Sequence, residues 1–324
     1  MKVDCAKLVI SLDAEIAWGR VSANEISDFF PLFAETKSVI EELIDVFDEY
    51  NAPVTWAVVG RLAEATQGSL TKFDKLKTIK LADYFDGAID ESIYADIRLQ
   101  SKSDSYLRFP ELIELITSAN VRHDLGSHSY NHCFFQDLKS SKLALLDFKA
   151  MEQLGETWGQ EINTFVYPKN QVAHLDCAAK CGIKVFRSPD EEWFLDLPKF
   201  AHKILRQLDK LLPIAAPVVH AHAADHGLIG IPGSMVFRRE HRGIRRHIPI
   251  SIMSAKANRG MDLAVKNNGV VHLWWHPFNF AYKREQHINA LKNVLKHANE
   301  LREKGKLDIV PMSAFVPHST AREG

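Results

Sequence analysis

Short apolar segments alternate with amphipathic helical ones along almost the whole chain, and this alternation constrains the fold more than any other feature. Residues 8–12, 53–60, 162–167, 183–186, 270–275 and 307–312 are brief runs of branched and aromatic residues, the pattern of buried strands. Residues 123–127 read as the end of another strand. Between them, residues 36–50 place Val39, Ile40, Leu43, Ile44 and Phe47 at helical spacing, and residues 284–304 put Ile288, Leu291, Val294, Leu295, Ala298 and Leu301 on one face. Residues 139–158 and 172–181 also read as helices, and Pro110 opens a short one. Strands separated by helices lie parallel, because each crossover returns the chain to the same end of the sheet. An α/β fold follows, and seven or eight strands point to a distorted (β/α)7-8 barrel of mostly parallel strands rather than an open sheet. The chain reads as one catalytic domain over residues 1–324. Insertions are expected near 61–106, which is more polar, and 196–260, which is irregular and broken by Pro and Gly.

Composition removes several classes of function. Lys and Arg number 40 against 41 Asp and Glu, so no overall field recruits nucleic acid or an anionic membrane. No run approaches the ~20 apolar residues of a transmembrane segment. Asp13 and Glu15 interrupt the first apolar stretch, which is unlike a secretory signal, so a cytoplasmic location is expected. The 4 cysteines contain no C-x-x-C pair, and Cys177 and Cys181 read as small helix residues near a core. No glycine-rich phosphate loop follows the first strand.

The 15 histidines raise the question of ligands and catalysts. In a parallel barrel, reactive groups collect at the C-terminal ends of the strands. Three such ends are polar. Asp13 and Glu15, two apart, point to one side of an extended segment, where paired carboxylates repel unless a cation sits beside them. His128 and His132 form H-x-x-x-H, which puts two imidazoles on one side of a helical turn or tight loop. In 272–277, His272, Trp274 and His276 share a face. His276 stands at the mouth just before Pro277, whereas His272 reads as a hydrogen-bonded core residue. One carboxylate with His128 and His132 would hold a divalent metal and leave coordination positions open. The other carboxylate would be a general base, and His276 a general acid. That set suits hydrolysis of an amide or ester.

In order along residues 8–315, these motifs resemble the polysaccharide deacetylases, the family 4 carbohydrate esterases. Residues 11–15 resemble the first motif, usually Thr-Phe-Asp-Asp. Residues 123–132 resemble the histidine motif almost throughout, residues 165–168 the third motif, and residues 273–277 the last. The resemblance implies a zinc-type divalent ion and removal of an N- or O-acetyl group from a sugar. It implies Asp13 as base, His128 and His132 as ligands, His276 as acid, and a backbone N–H near Tyr167 for the oxyanion. The chain departs from the family in three places. Ala14 replaces the usual metal-binding Asp, and Glu15 can substitute for it. Val166 stands near where an Arg usually orients the base, and Arg187 can compensate. The Asp-Trp motif is blurred, with Asp190 to Trp193 as the nearest candidate and Trp193 as a pocket wall. This pattern implies a divergent branch, like the cytoplasmic proteins associated with surface-polysaccharide and lipopolysaccharide synthesis.

Alternatives stay open. The same chemistry opens a cyclic amide or imide, and the missing Asp and Arg also fit a catalytically silent carbohydrate-binding relative. A two-His-one-carboxylate iron oxygenase is a third alternative, although that chemistry typically sits on a jelly roll. His220, His222 and His226 read either as a polar loop or as a second metal site. Arg238, Arg239, Arg242, Arg245 and Arg246 read either as a solvated face or as a rim for an anionic substrate. Tyr130, Trp274 and Trp275 are candidates for stacking on sugar, with core packing as the alternative for Trp275.

Overall fold

The computed structural model describes residues 5–20, 26–64, 106–138, 140–190, 215–238 and 249–317. Its ten strands are β1 (Ala6–Ala14), β2 (Thr55–Val58), β3 (Asp124–Ser127), β4 (Thr164–Val166), β5 (Val185–Ser188), β6 (His222–Ala223), β7 (Ile229–Pro232), β8 (Met235–Val236), β9 (Val270–Trp275) and β10 (Leu307–Ile309). They form one sheet in the order β6-β7-β5-β4-β3-β2-β1-β9-β8, with β10 also paired to β1. Only the short β6–β7 pair among these strands is antiparallel. The sheet curls into a distorted barrel, as the alternation of strands and helices predicts.

One continuous segment closes the seam. Its first half, β7, pairs with β5, and its second half, β8, pairs with β9 at the other end of the sheet. The switch occurs at Gly233 and Ser234, where the Ser234 amide donates to the His272 carbonyl (2.8 Å). Just upstream, Val219 bridges to Val270. This corrects the expectation of an irregular stretch over 196–260. Residues 222–236 supply three strands, and Ile250–Asn267 is a helix. The strands are too short and too interrupted by Gly230, Pro232 and Gly233 to show a period. Inside the helix, Gly260 blurs the pattern, and it sits where a Cβ would lie 2.9 Å from the Ala216 carbonyl oxygen. Residues 196–214 and 239–248, and most of the other expected insertion, lie outside the described residues.

Pleating sorts each strand into two faces. Leu8, Ile10, Leu12 and Ala14 of β1 face outward into a core shared with Thr36–Glu49, Ser141–Thr157, Ile250–Asn267 and Arg284–Glu303. Val9 faces inward with Ala57, Val166, Val185, Ile231 and Val270, and Met312 and Phe315 pack with them. Above this apolar layer the interior becomes polar. Ser11, Asp13, Arg187 and His272 are all buried there. The fold therefore delivers its reactive groups at the strand ends, above an apolar layer. No helix among the described residues is long and apolar enough to cross a membrane.

Candidate active site

Glu15 follows β1 and is buried, and three imidazoles surround its carboxylate. Oε2 lies 3.1 Å from His128 Nε2 and 2.9 Å from His132 Nε2, and Oε1 lies 2.9 Å from His276 Nε2. His128 comes directly off β3. His132 reaches the same point because the loop between them turns sharply, with Ser129 (φ 70°) and His132 (φ 56°) both left-handed. The H-x-x-x-H spacing is thus a tight loop rather than a helical turn.

Buried Asp147, on the helix Ser141–Thr157, holds that loop. Its carboxylate accepts from the Tyr130 amide (2.9 Å), the Asn131 amide (3.1 Å) and Cys133 Sγ (3.2 Å). Sequence reasoning passed over this residue, which looks like any polar helix position.

The donor set fits a divalent ion. The ligand atoms of Glu15, His128 and His132 all lie within 4.8 Å of one another. The two shorter separations approach the roughly 3.3 Å that tetrahedral bonds of ~2.0–2.1 Å set between neighbouring donors. Tautomers make the same point. His128 Nδ1 donates to the Val166 carbonyl (2.8 Å), so a neutral His128 turns a lone pair from Nε2 onto the carboxylate. Two lone pairs face each other unless a proton or a cation lies between them. Burial opposes charge on Glu15, but the three imidazoles outweigh it and hold its carboxyl well below the usual range. Burial also opposes charge on His128, and there the Asp13 and Glu15 carboxylates prevail and raise its pKa. On His132, burial prevails and lowers it.

Gly19 makes room for this arrangement. A Cβ there would lie 1.7 Å from Glu15 Oε1 and 2.0 Å from its Cδ. We expect Gly19→Ala to displace the carboxylate and weaken zinc binding about 10–100-fold, as changes around metal ligands typically do. Titration against a chromogenic chelator measures this. An unchanged affinity would show that Glu15 does not bind from this position.

Asp13 has a different partner. Arg187 grips it with two parallel bonds, Nη1 to Oδ1 and Nη2 to Oδ2, both 2.8 Å. The guanidinium outweighs burial and lowers the Asp13 pKa. Arg187 is itself buried. It also donates to Ser11 Oγ (3.1 Å) and lies over the Trp274 ring, 4.2 Å from its centroid. Ser11 Oγ is 2.9 Å from Nε2 of His272, whose Nδ1 donates to the Pro232 carbonyl (3.2 Å). Burial, with Arg187 adding to it, pushes the His272 pKa down to about 3, so this histidine is a neutral buttress. Val166 and Arg187 are register partners on β4 and β5. The guanidinium thus comes from one strand further along the sheet than the motif pattern leads one to look.

Asp13, Glu15, His128, His132, Arg187 and His276 line one cavity of about 260 Å³. Trp274 lines it too, and its indole N–H donates to Asp190 (3.0 Å). His276 Nδ1 donates to Asn279 Oδ1 (3.3 Å), which leaves Nε2 facing the acids. Four further lining residues, Arg20, Lys169, Asn170 and Gly19, carry no periodic or motif signal in the sequence.

Other expected participants lie elsewhere. The Tyr167 ring is buried among Phe135, Phe165 and Phe186 and does not line the cavity, so the residue's expected part in holding an oxyanion falls to its backbone N–H alone. Tyr130 is likewise buried, with its hydroxyl on Glu64 (3.3 Å), and Trp275 stacks on Phe280 in the core. Neither is a sugar platform. Trp193 and the arginines after Arg238 lie outside the described residues. His220, His222 and His226 are exposed and form no metal-type group among the described residues.

Residues 30–186 match the family model for polysaccharide deacetylase. Over these residues the chain carries a polysaccharide deacetylase domain. The matched stretch holds His128 and His132, whereas Asp13, Glu15, Arg187 and His276 lie outside it. Among solved structures, one described as a polysaccharide deacetylase from Mycobacterium smegmatis aligns with 97% of this chain and 92% of its own, at 14% identity and a TM-score of 0.60. One from Pseudomonas aeruginosa PAO1 aligns with 95% and 89%, at 11% identity and a TM-score of 0.58. Puue allantoinase aligns with 97% and 92%, at 10% identity and a TM-score of 0.56. These likenesses show the fold. A search of curated proteins with this chain finds no match.

Proposed function

We propose that this domain is a metal-dependent deacetylase that removes an N-acetyl, or O-acetyl, group from a sugar in surface-polysaccharide or lipopolysaccharide synthesis. Family membership supports a hydrolase of the carbohydrate-deacetylase kind. One observation carries the metal dependence: Glu15 meets both histidines while Arg187 takes up Asp13. The two acids therefore have separate work, and the replacement of the usual Asp by Ala14 is met by the longer Glu15.

Glu15, His128 and His132 would hold the ion. When bound, a divalent ion supplies Lewis acidity, polarising the acyl carbonyl and making water acidic. Asp13 accepts the proton of the attacking water. Arg187 fixes that carboxylate in orientation, and its charge keeps Asp13 ionised and ready through the neutral range. His276, with Nδ1–H tied to Asn279, presents Nε2 to the cavity and protonates the leaving amine. The Trp274 face closes one wall.

His128→Ala should reduce bound zinc from one equivalent to none, by elemental analysis, and abolish acetate release from N-acetyl sugars. Retention of both would overturn the ligand assignment. A cyclic-amide hydrolase is the second reading, supported by the fold shared with an allantoinase. Ring opening without acetate would select it.

A further inference from the structure

His272 is buried in the barrel interior and has no part in the chemistry proposed above. Its hydrogen bonds nevertheless lead to the base. Resting on the reading of Asp13 as that base, we propose that His272 and Ser11 are positioning residues. They form a one-way hydrogen-bond relay between Arg187 and the barrel seam, and this relay sets the guanidinium that holds Asp13.

Both ends of the relay fix its direction. At one end, His272 Nδ1 lies 3.2 Å from the Pro232 carbonyl, which can only accept. Nδ1 therefore carries the proton. Burial keeps the ring neutral, so Nε2 offers a lone pair. At the other end, Arg187 can only donate, and its Nη1 reaches Ser11 Oγ at 3.1 Å. The Ser11 O–H must then find an acceptor of its own, and His272 Nε2 stands 2.9 Å away. The order of donation is thus Arg187 to Ser11, Ser11 to His272, and His272 to Pro232. In the opposite tautomer, Nδ1 and the Pro232 carbonyl would set two lone pairs against each other. Nε2–H would then point at Ser11 and deprive its O–H of this acceptor. Asp13, Ser11, Arg187 and His272 are all buried, where a met hydrogen bond is strong and an unmet one is costly.

The seam holds His272 by its backbone as well. The His272 amide donates to Ser234 Oγ (2.9 Å), and the Ser234 amide donates to the His272 carbonyl (2.8 Å). Ring and backbone are therefore both tied to the segment that closes the barrel. Ser11 passes that position on to the guanidinium. A carboxylate and a guanidinium can slide along each other's edges, going from two parallel bonds to one. Here Nη1 is stopped from sliding, because it divides its N–H groups between Asp13 Oδ1 and Ser11 Oγ. Ser11 and Asp13 lie two apart on β1, so Arg187 spans two residues of one strand face. The Trp274 ring covers the face of the guanidinium, and Ser11 fixes its edge. The angle from which Asp13 meets its water follows from that edge, and a misplacement of about 1 Å costs on the order of 10²-fold in rate.

Ser11→Ala and His272→Asn should each lower kcat for acetate release from N-acetylglucosamine roughly 10–100-fold. Each should keep KM within about twofold and retain a full equivalent of zinc, as expected of a defect confined to the transition state. Asn reaches toward Pro232 but is too short to meet Ser11. His272→Gln, whose amide oxygen can stand where Nε2 stood, should bring kcat back to within about threefold of the unaltered protein. Two positions in series fail once, so Ser11→Ala/His272→Asn should fall no further than the worse single variant, whereas independent effects multiply. Nitrogen-15 NMR of the unaltered zinc-loaded protein at pH 7 reads the direction itself. With His272 assigned by the signals that His272→Gln lacks, Nδ1 should be protonated and Nε2 bare. Unchanged kcat in His272→Asn, zinc lost along with the rate, multiplied effects in the double variant, or a proton on Nε2 each overturn the relay and leave deacetylation standing. If His272→Asn does not fold, Ser11→Ala and the spectrum decide. If the unaltered protein releases no acetate, the deacetylase reading falls, and the spectrum decides the relay by itself.

Discussion

Asp13→Asn should keep a full equivalent of zinc and lower kcat by roughly 10²–10⁴, the usual worth of a positioned general base. The substitution keeps the size of the side chain and removes its ability to accept a proton. Glu15, His128 and His132 are untouched, and their mutual contacts do not pass through Asp13. The result separates the two carboxylates sharply. If Asp13→Asn loses the metal instead, the ligand is Asp13 and Glu15 is the base, reversing the proposed roles. If activity survives with metal bound, the water is deprotonated elsewhere. Glu15→Gln is the companion measurement: it should lose zinc and activity together.

Arg187→Met should be the most destabilising substitution at the site. Asp13 and Arg187 are both almost wholly excluded from solvent. Removing one member of a buried ion pair leaves the other charge unpaired, at a cost of about 3–5 kcal/mol. Urea denaturation of the metal-free protein measures this without interference from the ion. The double variant Asp13→Asn/Arg187→Met should recover most of that loss, because neither charge remains. Its kcat should stay as low as that of Asp13→Asn alone, since the base is gone in both. Arg187→Lys should fall between the two: it keeps the charge but loses the fork that holds both carboxylate oxygens. If Arg187→Met is as stable as the unaltered protein, Asp13 is not buried as a charge.

The fold was largely legible because a barrel imposes its period on the sequence. Outward-facing Leu8, Ile10 and Leu12 and the helix stripe Val39–Leu43–Phe47 obey simple spacings that a reader can count. The seam strands were not legible. β6 and β8 have two residues each and β7 four, too few to express alternation, and their glycines and proline look like loop punctuation. At the site, the residues on strand ends could be found: Asp13, Glu15, His128 and His276 each follow an apolar run. His132 could be found from its spacing to His128. The Asp13–Arg187 pairing was suggested only by the lack of an arginine at 166, and its geometry depends on a register that no single segment displays. Arg20, Lys169 and Asp147 act from loops and a helix, where a charged residue looks like any other surface residue until its surroundings are known.

The seam also bears on how the molecule assembles. Ile229–Val236 can complete its pairing only when β5, far upstream, and β9, far downstream, both stand in place. Closing the barrel is therefore a long-range event, and such events come late and slowly in folding. The Asp13–Arg187 grip draws on the same two neighbourhoods, since β1 adjoins β9 and Arg187 belongs to β5. The ion pair thus ties the two flanks of the seam to each other across the barrel interior.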